Sequence, residues 1–596
     1  MDKKNTFFGV VFLLGAFFLM FKEGTRVSEA QLAYEAAAQQ EASEMASAEP
    51  LVAPVANQDA TPALVRVSKA SQQEIAPTVQ TAPESIVTLE NDYILVRFTS
   101  HGGGIKDVAL KEYPAALDSE EPYIFNEHSQ KAALALSVSD EQNGPADFSP
   151  VYELVLHEKN RVLFRLETEE GLQIYRGYSV LQKGEEGEPY LVKHTTRFVN
   201  KSTDDFDLKQ IFVNAGTCPP TRSDTFGEYL NFGYYNGKDV EFVKGGVFHD
   251  SKGFLGMGAK KGVDRVEESA QGLVWAAVKN QFFASILTPA EPGVGFAVNP
   301  VVLPDDENPE EEVEGITGAM QFNLGGLAKG EEKRLDMSFY VGPKEYSRLQ
   351  ALGQEQDLIM QFGFFGMVSK LLLFLMHGIF KMIPNWGVTI ILVTIIIKMV
   401  LWPLTAAQVR SSKRMAQIQG PMAELKEKYK DNPQKMQAET MRLFKEHRVN
   451  PAAGCLPLLV QLPIFLGFYF MLRTSSELRF ASFLWIPDLS VPDTIAVISG
   501  FPVNILPLIM GVTMFLQMQM TPTPTTDNAQ RKIFQMMPFI FLVFCYNFPS
   551  GLVLYWTVQN VLTIVQQSLT NRAKDPEPVV AVPQKKSKSK AKAKVK

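Results

Sequence analysis

The sequence predicts a polytopic α-helical membrane protein that carries a large all-β domain outside the membrane. An apolar run over residues 386–404 is about 20 residues long, which matches the ~30 Å hydrocarbon core of a bilayer at about 1.5 Å rise per residue. Further apolar runs follow it, whereas residues 86–355 show the period-two alternation and the Gly, Asp and Asn turns that are typical of strands. The mean hydropathy of the whole chain is −0.03, because a mixed, acidic first half offsets an apolar second half.

Residues 1–21 predict an N-terminal signal-anchor helix. Lys3 and Lys4 precede an apolar run over 7–21, and no small-residue cleavage pattern follows that run. We therefore expect an uncleaved anchor with a cytoplasmic N-terminus; the run is short for a span, and a cleaved signal peptide is the alternative. Residues 22–85 are rich in Ala, Gln, Glu, Ser and Pro and are predicted to form a flexible linker.

Residues 86–355 are predicted to form a sandwich-like all-β domain. The acidic run 305–314 is interpreted as a solvated loop in preference to a metal site, and the three cysteines imply no disulfide framework. We find no paired-carboxylate, Ser/His/Asp or Cys/His arrangement, so we expect no catalytic residue, no metal and no cofactor. Strand patterns occur at 93–98, 152–157, 162–166, 172–178, 190–198 and 335–341.

Residues 361–381 are predicted to form an interfacial amphipathic helix. Lys370, His377 and Lys381 are spaced seven and four residues apart and therefore share one helix face. The alternative is a transmembrane span, and the loop 405–450 decides between the two. By the positive-inside rule this loop is cytoplasmic, which leaves 361–381 on the outer side. Its basic residues are Arg410, Lys413, Arg414, Lys426, Lys428, Lys430, Lys435, Arg442, Lys445 and Arg448.

The loop 405–450 is also predicted to be a cytoplasmic helical hairpin, with one helix over 406–430 and a second beginning at Pro433.

Two of the six predicted spans are 1–21 and 386–404. Because the number of spans is even, the basic tail 570–596 returns to the cytoplasm. The other four spans are 456–472, 496–520, 533–548 and 550–569, with an outer loop at 473–495.

Lys398 is the lone charge inside the run 386–404. A lysine at the bilayer centre costs roughly 2.5–3.5 kcal/mol, and such residues are candidates for function. The alternative is that its long stem reaches the interface about 10 Å away, near Leu404. Thr394 lies one turn earlier on the same face, which predicts that this helix has a polar face half-way across the membrane. The position of Lys398 alone leaves both interpretations open.

Five blocks of sequence stand out over roughly residues 360–570. They are NWGVTIILVTIIIKMVLWPLT, VNPAAGCLPLLVQLPIF, WIPDLS, ILPLIMGVTMF and FPSGLVLYW. In order and spacing these blocks resemble those of the YidC/Oxa family of membrane protein insertases. The β-domain, through NDYILVRFTSHGGGI and FYVGPKEY, resembles that of the Gram-negative branch of this family.

The resemblance implies a five-helix core, a periplasmic β-sandwich domain, and a role in inserting and folding inner-membrane proteins, alone or with the Sec translocon. It implies a multi-pass protein of the cell inner membrane, with both termini in the cytoplasm. Its implied partners are nascent inner-membrane proteins and the Sec translocon. The basic segments, namely the hairpin 405–450 and the tail end 585–596, are expected to attract the ribosome and anionic lipids.

Members of the family use a hydrophilic groove, open to the cytoplasm and to lipid, in which a cation attracts the polar or acidic part of a substrate. That cation is usually Arg, and the aligned residue here is Lys398, which keeps the charge and loses the bidentate fork. The other groove positions that the resemblance implies are Thr394, Gln517, Tyr555 and Trp556. The path along which substrate helices slide into lipid is implied at Leu462, Pro463, Phe465, Pro538 and Phe539.

Two other classes of function are weighed against an insertase. A small-molecule transporter with a periplasmic capture domain would typically show internal repeats, and none is evident between 386–472 and 496–570. A hydrolase would need a nucleophile and a base, which the sequence does not place together. For every groove and path residue, ordinary helix packing is the alternative to a functional role.

Overall fold

The computed structural model describes residues 65–66, 83–140, 144–221, 224, 227–250, 260–304, 312–430, 432–447, 456–520 and 528–572. The predicted signal anchor 1–21, most of the linker 22–85, most of the acidic run 305–314 and nearly all of the tail 570–596 lie outside these residues. The chain divides into two compact units. One unit comprises 47–361 and 473–479, and the other comprises 1–46, 362–472 and 480–596.

The first unit is an all-β domain, as the alternation predicts. All of its sheets are antiparallel, and all six strand patterns read from the sequence coincide with observed strands to within three residues at either end. Its strands are β1 (Val65–Arg66), β2 (Ile86–Glu90), β3 (Ile94–Thr99), β4 (Ile105–Pro114), β5 (Pro122–Phe125), β6 (Leu136–Asp140), β7 (Gly144–Asp147), β8 (Glu153–His157), β9 (Arg161–Glu167), β10 (Leu172–Val180), β11 (Leu191–Asn200), β12 (Phe206–Asp207), β13 (Ile211–Cys218), β14 (Asn231–Tyr235), β15 (Val240–Lys244), β16 (Val266–Glu268), β17 (Trp275–Lys279), β18 (Phe283–Pro289), β19 (Gly295–Pro304), β20 (Glu312–Phe322), β21 (Gly326–Leu327) and β22 (Glu332–Pro343).

Two large sheets form the body of this domain. One has nine strands in the order β15-β14-β17-β18-β22-β11-β10-β9-β8, and the other has six in the order β16-β19-β20-β13-β6-β7. Aromatic rings join them, since the ring centroid of Phe296 on β19 lies 5.3 Å from that of Phe232 and 4.5 Å from that of Tyr234, both on β14. The predicted sandwich is therefore confirmed, with smaller sheets of order β2-β3-β4-β5 and β1-β12-β21 beside it.

The β-domain unit extends beyond the predicted boundary at residue 355. A helix, α1 (Tyr346–Leu352), and a short 3-10 helix (Gln356–Met360) end it, and the segment 473–479 also belongs to it. Within this unit the guanidinium of Arg479 donates to the carbonyls of Pro114 and Ala115, at 2.6 and 2.7 Å. This part of the predicted outer loop is therefore held by the β-domain.

The second unit is helical. Within the described residues, two helical stretches are long and apolar enough to cross a bilayer, Gly363–Phe380 and Trp386–Ala407; the stretches Ile505–Met520 and Gln535–Cys545 are apolar but shorter. Length and apolar composition fit both the predicted interfacial helix at 361–381 and its alternative, a transmembrane span. The helices are α2 (Gly366–Phe380), α3 (Trp386–Gln417), α4 (Gln419–Lys428), α5 (Pro433–Glu446), α6 (Leu456–Thr474), α7 (Ile505–Met520), α8 (Asn528–Cys545) and α9 (Ser550–Arg572).

The hairpin after the first core helix differs from the prediction in one respect. The span 386–404 and the start of the predicted helix 406–430 form a single helix, α3, and a helix break at Ile418 separates it from α4. This break is favourable because Ile418 and Met415 then pack against Leu443 and Phe444 of α5. The predicted start of the second helix at Pro433 is confirmed, and the side chain of Asn432 caps it by accepting from Lys435 N at 3.1 Å.

The predicted span 496–520 is wrong in its first nine residues. The chain forms a two-stranded hairpin there, β23 (Thr494–Ile498) and β24 (Phe501–Asn504), before α7 begins at Ile505. Ser499 and Gly500 both have positive φ, of 52° and 81°, which is the backbone of a tight hairpin turn. An uninterrupted apolar composition predicts the environment of this segment, and the turn residues decide its secondary structure.

Candidate substrate groove

A row of polar side chains follows one face of α9. Successive members are four, four, three and four residues apart, a spacing that keeps them on the same side of a helix. The face packs against α3, α6 and α7, whose own polar side chains meet it. We call this row the polar stripe, and its members are Tyr555, Gln559, Thr563, Gln566 and Thr570.

Lys398 contacts the middle of the polar stripe. The residue is 4% exposed, and its Nζ donates to Thr563 Oγ1 at 2.8 Å. No carboxylate in the described part of the chain forms an ion pair with it. The ammonium therefore points across to α9, and a neutral hydroxyl is the partner that it meets there. A cation in such surroundings keeps a strong preference for further polar or anionic groups.

Thr394 lies one turn before Lys398 on α3 and is completely buried. Its Oγ1 donates to Ile390 O at 2.6 Å, so the hydroxyl is bonded to its own helix. Thr394 thus shares the face of Lys398, as predicted.

At the N-terminal end of the polar stripe, α6 supplies an amide, that of Gln461, which the sequence analysis did not place in the groove. The Gln461 side-chain amide donates to Tyr555 Oη, and Gln559 Nε2 donates to Gln461 Oε1 at 3.2 Å. Tyr555 is 1% exposed and stacks on Phe468, with ring centroids 4.4 Å apart. Tyr555 therefore joins α9 to α6 through both its hydroxyl and its ring.

The α7 side of the groove carries Thr513 and Gln517. Asn560, which neighbours the polar stripe on α9, donates from Nδ2 to Thr513 Oγ1 at 3.2 Å. Gln517 is half-buried and follows Thr513 by four residues, which places it on the same face of α7. The structure therefore puts Gln517 on the helix face that turns toward α9.

Near its C-terminal end, the polar stripe binds α3 twice more. Gln566 Nε2 donates to Thr405 Oγ1 at 2.7 Å, and Lys413 Nζ donates to Thr570 O at 2.9 Å. Together with Lys398 and Thr563, these contacts join the two helices at three levels. Sequence reasoning missed Thr563 and Gln566, although their spacing from Gln559 is a helical repeat that a scan of α9 reveals.

The residues predicted to form the sliding path are not all equivalent. Phe465 is 2% exposed and packs edge-to-face on Trp556, with ring centroids 4.6 Å apart. Pro538 is buried, Leu462 and Pro463 are half-buried, and Phe539 is 52% exposed. The structure thus brings Phe465 and Trp556 together as a packed pair and leaves Phe539 on the surface of the helical unit.

Two family models match the chain. The model described as the YidC periplasmic domain matches residues 86–375, and the model described as the 60Kd inner membrane protein matches residues 378–577. The two matches meet near the boundary between the compact units and together include both the β-domain and the polar stripe.

Similar proteins of known name agree with these matches. A membrane protein insertase YidC of Haemophilus influenzae (strain PittEE) is 31% identical over 82% of this chain and 86% of its own length. That of Syntrophobacter fumaroxidans is 40% identical over 50% of this chain, a match that spans about half of that relative (54%). A solved structure described as an active YidC insertase with the first transmembrane domain resolved matches over 84% of this chain and 94% of its own length, at 20% identity and with a TM-score of 0.33.

These relatives are named for insertion and not for a chemical reaction, and the transporter hypothesis is not favoured. Their names also agree with the family expected from the five sequence blocks. Identity above 30% over more than four-fifths of both chains is decisive for membership. The chain belongs to the YidC family of membrane protein insertases.

Proposed function

We propose that the protein inserts and folds transmembrane segments of other proteins in the inner membrane, alone or beside the Sec translocon. The observation that carries this proposal is the burial of Lys398 against the polar stripe. A cation at this depth is costly unless polar groups or an anion approach it. An acidic or polar segment of a substrate would supply such groups for as long as it stays in the groove.

The polar stripe gives such a segment a continuous route. From Tyr555 to Thr570 it covers 16 residues of α9, or about 22 Å along the helix axis. Hydroxyls and amides along this length offer hydrogen bonds to a passing backbone, which has no water to bind inside a bilayer. The apolar helix of the same substrate would leave past Phe539 into lipid, where exposed apolar surface is stable.

The topology is part of the proposal. We place five core spans after residue 380 and the signal anchor before them, with the helix 361–381 in the outer interface. Both termini and the hairpin 405–450 lie in the cytoplasm, and the β-domain lies in the periplasm. The basic hairpin and tail then face the ribosome and the anionic inner leaflet, which makes both of them candidate partners.

The test is a charge series at Lys398 in the full-length protein, reconstituted into vesicles and supplied with substrates whose translocated tails are acidic or neutral. Lys398→Glu should lower insertion of the acidic-tailed substrate, because a carboxylate repels it, and should affect the neutral-tailed one far less. Lys398→Arg keeps the charge and should insert both. Lys381→Glu reverses an exposed charge that follows α2, outside the groove, and is the matched control.

Equal insertion of the acidic-tailed substrate by Lys398→Glu and the unmodified protein would contradict the role of the charge. Equal loss of insertion with Lys381→Glu would show that the effect does not depend on the groove. Loss of insertion that occurs with Lys398→Glu alone, and only for the acidic-tailed substrate, would support the groove as the site where the tail binds.

A further inference from the structure

The β23–β24 hairpin is apolar, exposed and uncharged. Its residues 494–504 include no Asp, Glu, Lys, Arg or His. Ile495, Val497, Ile498 and Phe501 are between 53% and 65% exposed within the protein. An exposed apolar surface of this kind is unstable in water and generally marks a binding surface. The question is what covers it.

Both faces of the hairpin share this character. The cross-strand pairs Ala496–Val503 and Ile498–Phe501 lie on one face, and Val497–Pro502 lies on the other. An antiparallel hairpin at a protein surface usually alternates apolar and polar residues, so that one face packs and the other is solvated. Here neither face is polar. A medium that surrounds the hairpin therefore fits it better than a partner that covers one side.

The base of the hairpin is fixed to the helical unit. Thr494 Oγ1 donates to Asn504 Oδ1 at 2.7 Å, and Asn504 Nδ2 donates to Tyr546 O at 2.7 Å. The hydroxyl of Tyr546 donates to Pro502 O at 2.7 Å, and its ring lies 5.4 Å from that of Phe501. These contacts hold the hairpin where the N-terminal end of α7 meets the C-terminal end of α8. The exposure of the hairpin therefore follows from fixed contacts at its base.

The length of α7 indicates the environment. The helix has 16 residues, which gives about 24 Å against a hydrocarbon core of about 30 Å. Leu508, Val512 and Leu516 on α7 are 45%, 61% and 50% exposed, which is the surface expected of a lipid-facing helix. The hairpin joins the N-terminal end of α7 directly and continues this surface over the missing ~6 Å.

We propose that the β23–β24 hairpin inserts into the outer leaflet of the membrane and completes the lipid-facing surface of α7. This inference depends on the proposed membrane placement of α7 and not on insertase activity. The outer edges of both strands carry backbone groups that need water or headgroups, so the hairpin lies at the boundary between headgroups and acyl chains. Trp485, which donates from Nε1 to Asp493 Oδ2 at 3.1 Å and is 42% exposed, suits the same depth.

The test measures the depth of the hairpin in a bilayer. A spin label is attached at Val497→Cys in the full-length protein, with its three native cysteines replaced by alanine, in vesicles of phosphatidylethanolamine and phosphatidylglycerol. Collision rates with oxygen, which concentrates in lipid, and with a water-soluble nickel chelate are then compared. Val155→Cys on β8, also an exposed valine of a strand, is the matched control in water, and Val512→Cys on α7 is the matched control in lipid.

The proposal predicts a ratio of oxygen to nickel collisions at 497 that exceeds the ratio at 155 and approaches the ratio at 512. A ratio at 497 equal to that at 155 would place the hairpin in water and overturn the proposal. A label at 497 that neither reagent reaches would mean that a second copy or another protein covers it, which also overturns the proposal. If 512 itself behaves like 155, the placement of α7 fails together with the inference.

A second measurement keeps the cysteines in place. A benzophenone amino acid at Ile498 in the otherwise unmodified protein is irradiated in the same vesicles. The proposal predicts adducts with the mass of a phospholipid. Adducts between two copies of the chain, in the absence of lipid adducts, would contradict it.

Discussion

Replacing Thr563 by valine tests whether the polar stripe solvates Lys398. The substitution keeps the shape of the side chain and removes the hydroxyl that Lys398 Nζ contacts at 2.8 Å. A hydrogen bond to a charged group contributes about 1.5–3 kcal/mol to stability, and Lys398 is too deeply buried to replace it from bulk water. We expect Thr563→Val to lower the free energy of unfolding of the helical unit by about that amount.

Thr557→Val is the matched control. Thr557 is also on α9 and also donates to the carbonyl four residues before it, at 2.8 Å, as Thr563 does at 2.7 Å. The two substitutions therefore remove the same bond within the helix, and their difference isolates the contact with Lys398. Unfolding is followed in mixed detergent micelles by the helical circular dichroism signal, which the β-domain contributes to weakly.

Two results would refute this reasoning. The first is equal destabilisation by Thr563→Val and Thr557→Val, which would mean that water already solvates Lys398. The second concerns the double-mutant cycle with Lys398→Met, since a contact between the two side chains requires the effect of Thr563→Val to shrink once the ammonium is absent. An unchanged effect in the Lys398→Met background would assign it to some other contact of Thr563.

Two further predictions concern the β-domain. Burial lowers the pKa of Lys344 from its ordinary value of 10.5 to about 7. Between these two pH values the unfolded chain binds more protons than the folded one, so the free energy of unfolding should rise with pH by up to about 1.4 kcal/mol per pH unit. Lys344→Met should flatten this rise in thermal unfolding of the full chain, and an unchanged slope would contradict the prediction. A Cβ at Gly318 would lie 2.3 Å from the ring of Phe232, so Gly318→Ala should cost about 1–3 kcal/mol in the same measurement. Gly326→Ala should be nearly neutral, because a Cβ there would lie 3.9 Å from Phe206 O, an ordinary van der Waals contact.

Much of the β-domain is predictable because half-buried strands alternate. β10 shows strict alternation of buried and half-buried residues, and the sequence reveals it within two residues. β13 is buried along all eight residues, so it shows no period of two and the sequence analysis did not find it. The same holds for β17, which is buried throughout. Strands that are buried along their whole length are thus the ones that the pattern conceals.

In the helical unit, the composition predicts the environment better than the secondary structure. The sequence predicts a membrane helix over the uncharged stretch 496–504, and the structure makes it part of a hairpin because Ser499 and Gly500 adopt a turn. Apolar composition does not distinguish a helix from a short hairpin, and the Ser-Gly pair was the signal that would have done so.

The site was predictable in part. The lone charge in an apolar run identifies Lys398, and the family resemblance adds Tyr555 and Trp556. Its partner Thr563 lies 165 residues away in the chain, so the contact depends on how α3 and α9 pack. Phe465 was expected to meet substrates, and its burial against Trp556 follows from a packing geometry that the sequence does not contain.

Site-specific photocrosslinking tests most directly whether substrate helices pass through this groove into lipid. Benzophenone amino acids are placed at Leu462 and at Phe539, which are accessible where Phe465 is buried, and ribosome-stalled chains present one emerging transmembrane segment. Phe374 on α2, which is 75% exposed, is the matched control. We predict crosslinks at 462 and 539 that disappear when the segment is released into lipid, with none at 374. Crosslinks of equal strength at all three positions, or at none of them, would contradict the proposed route.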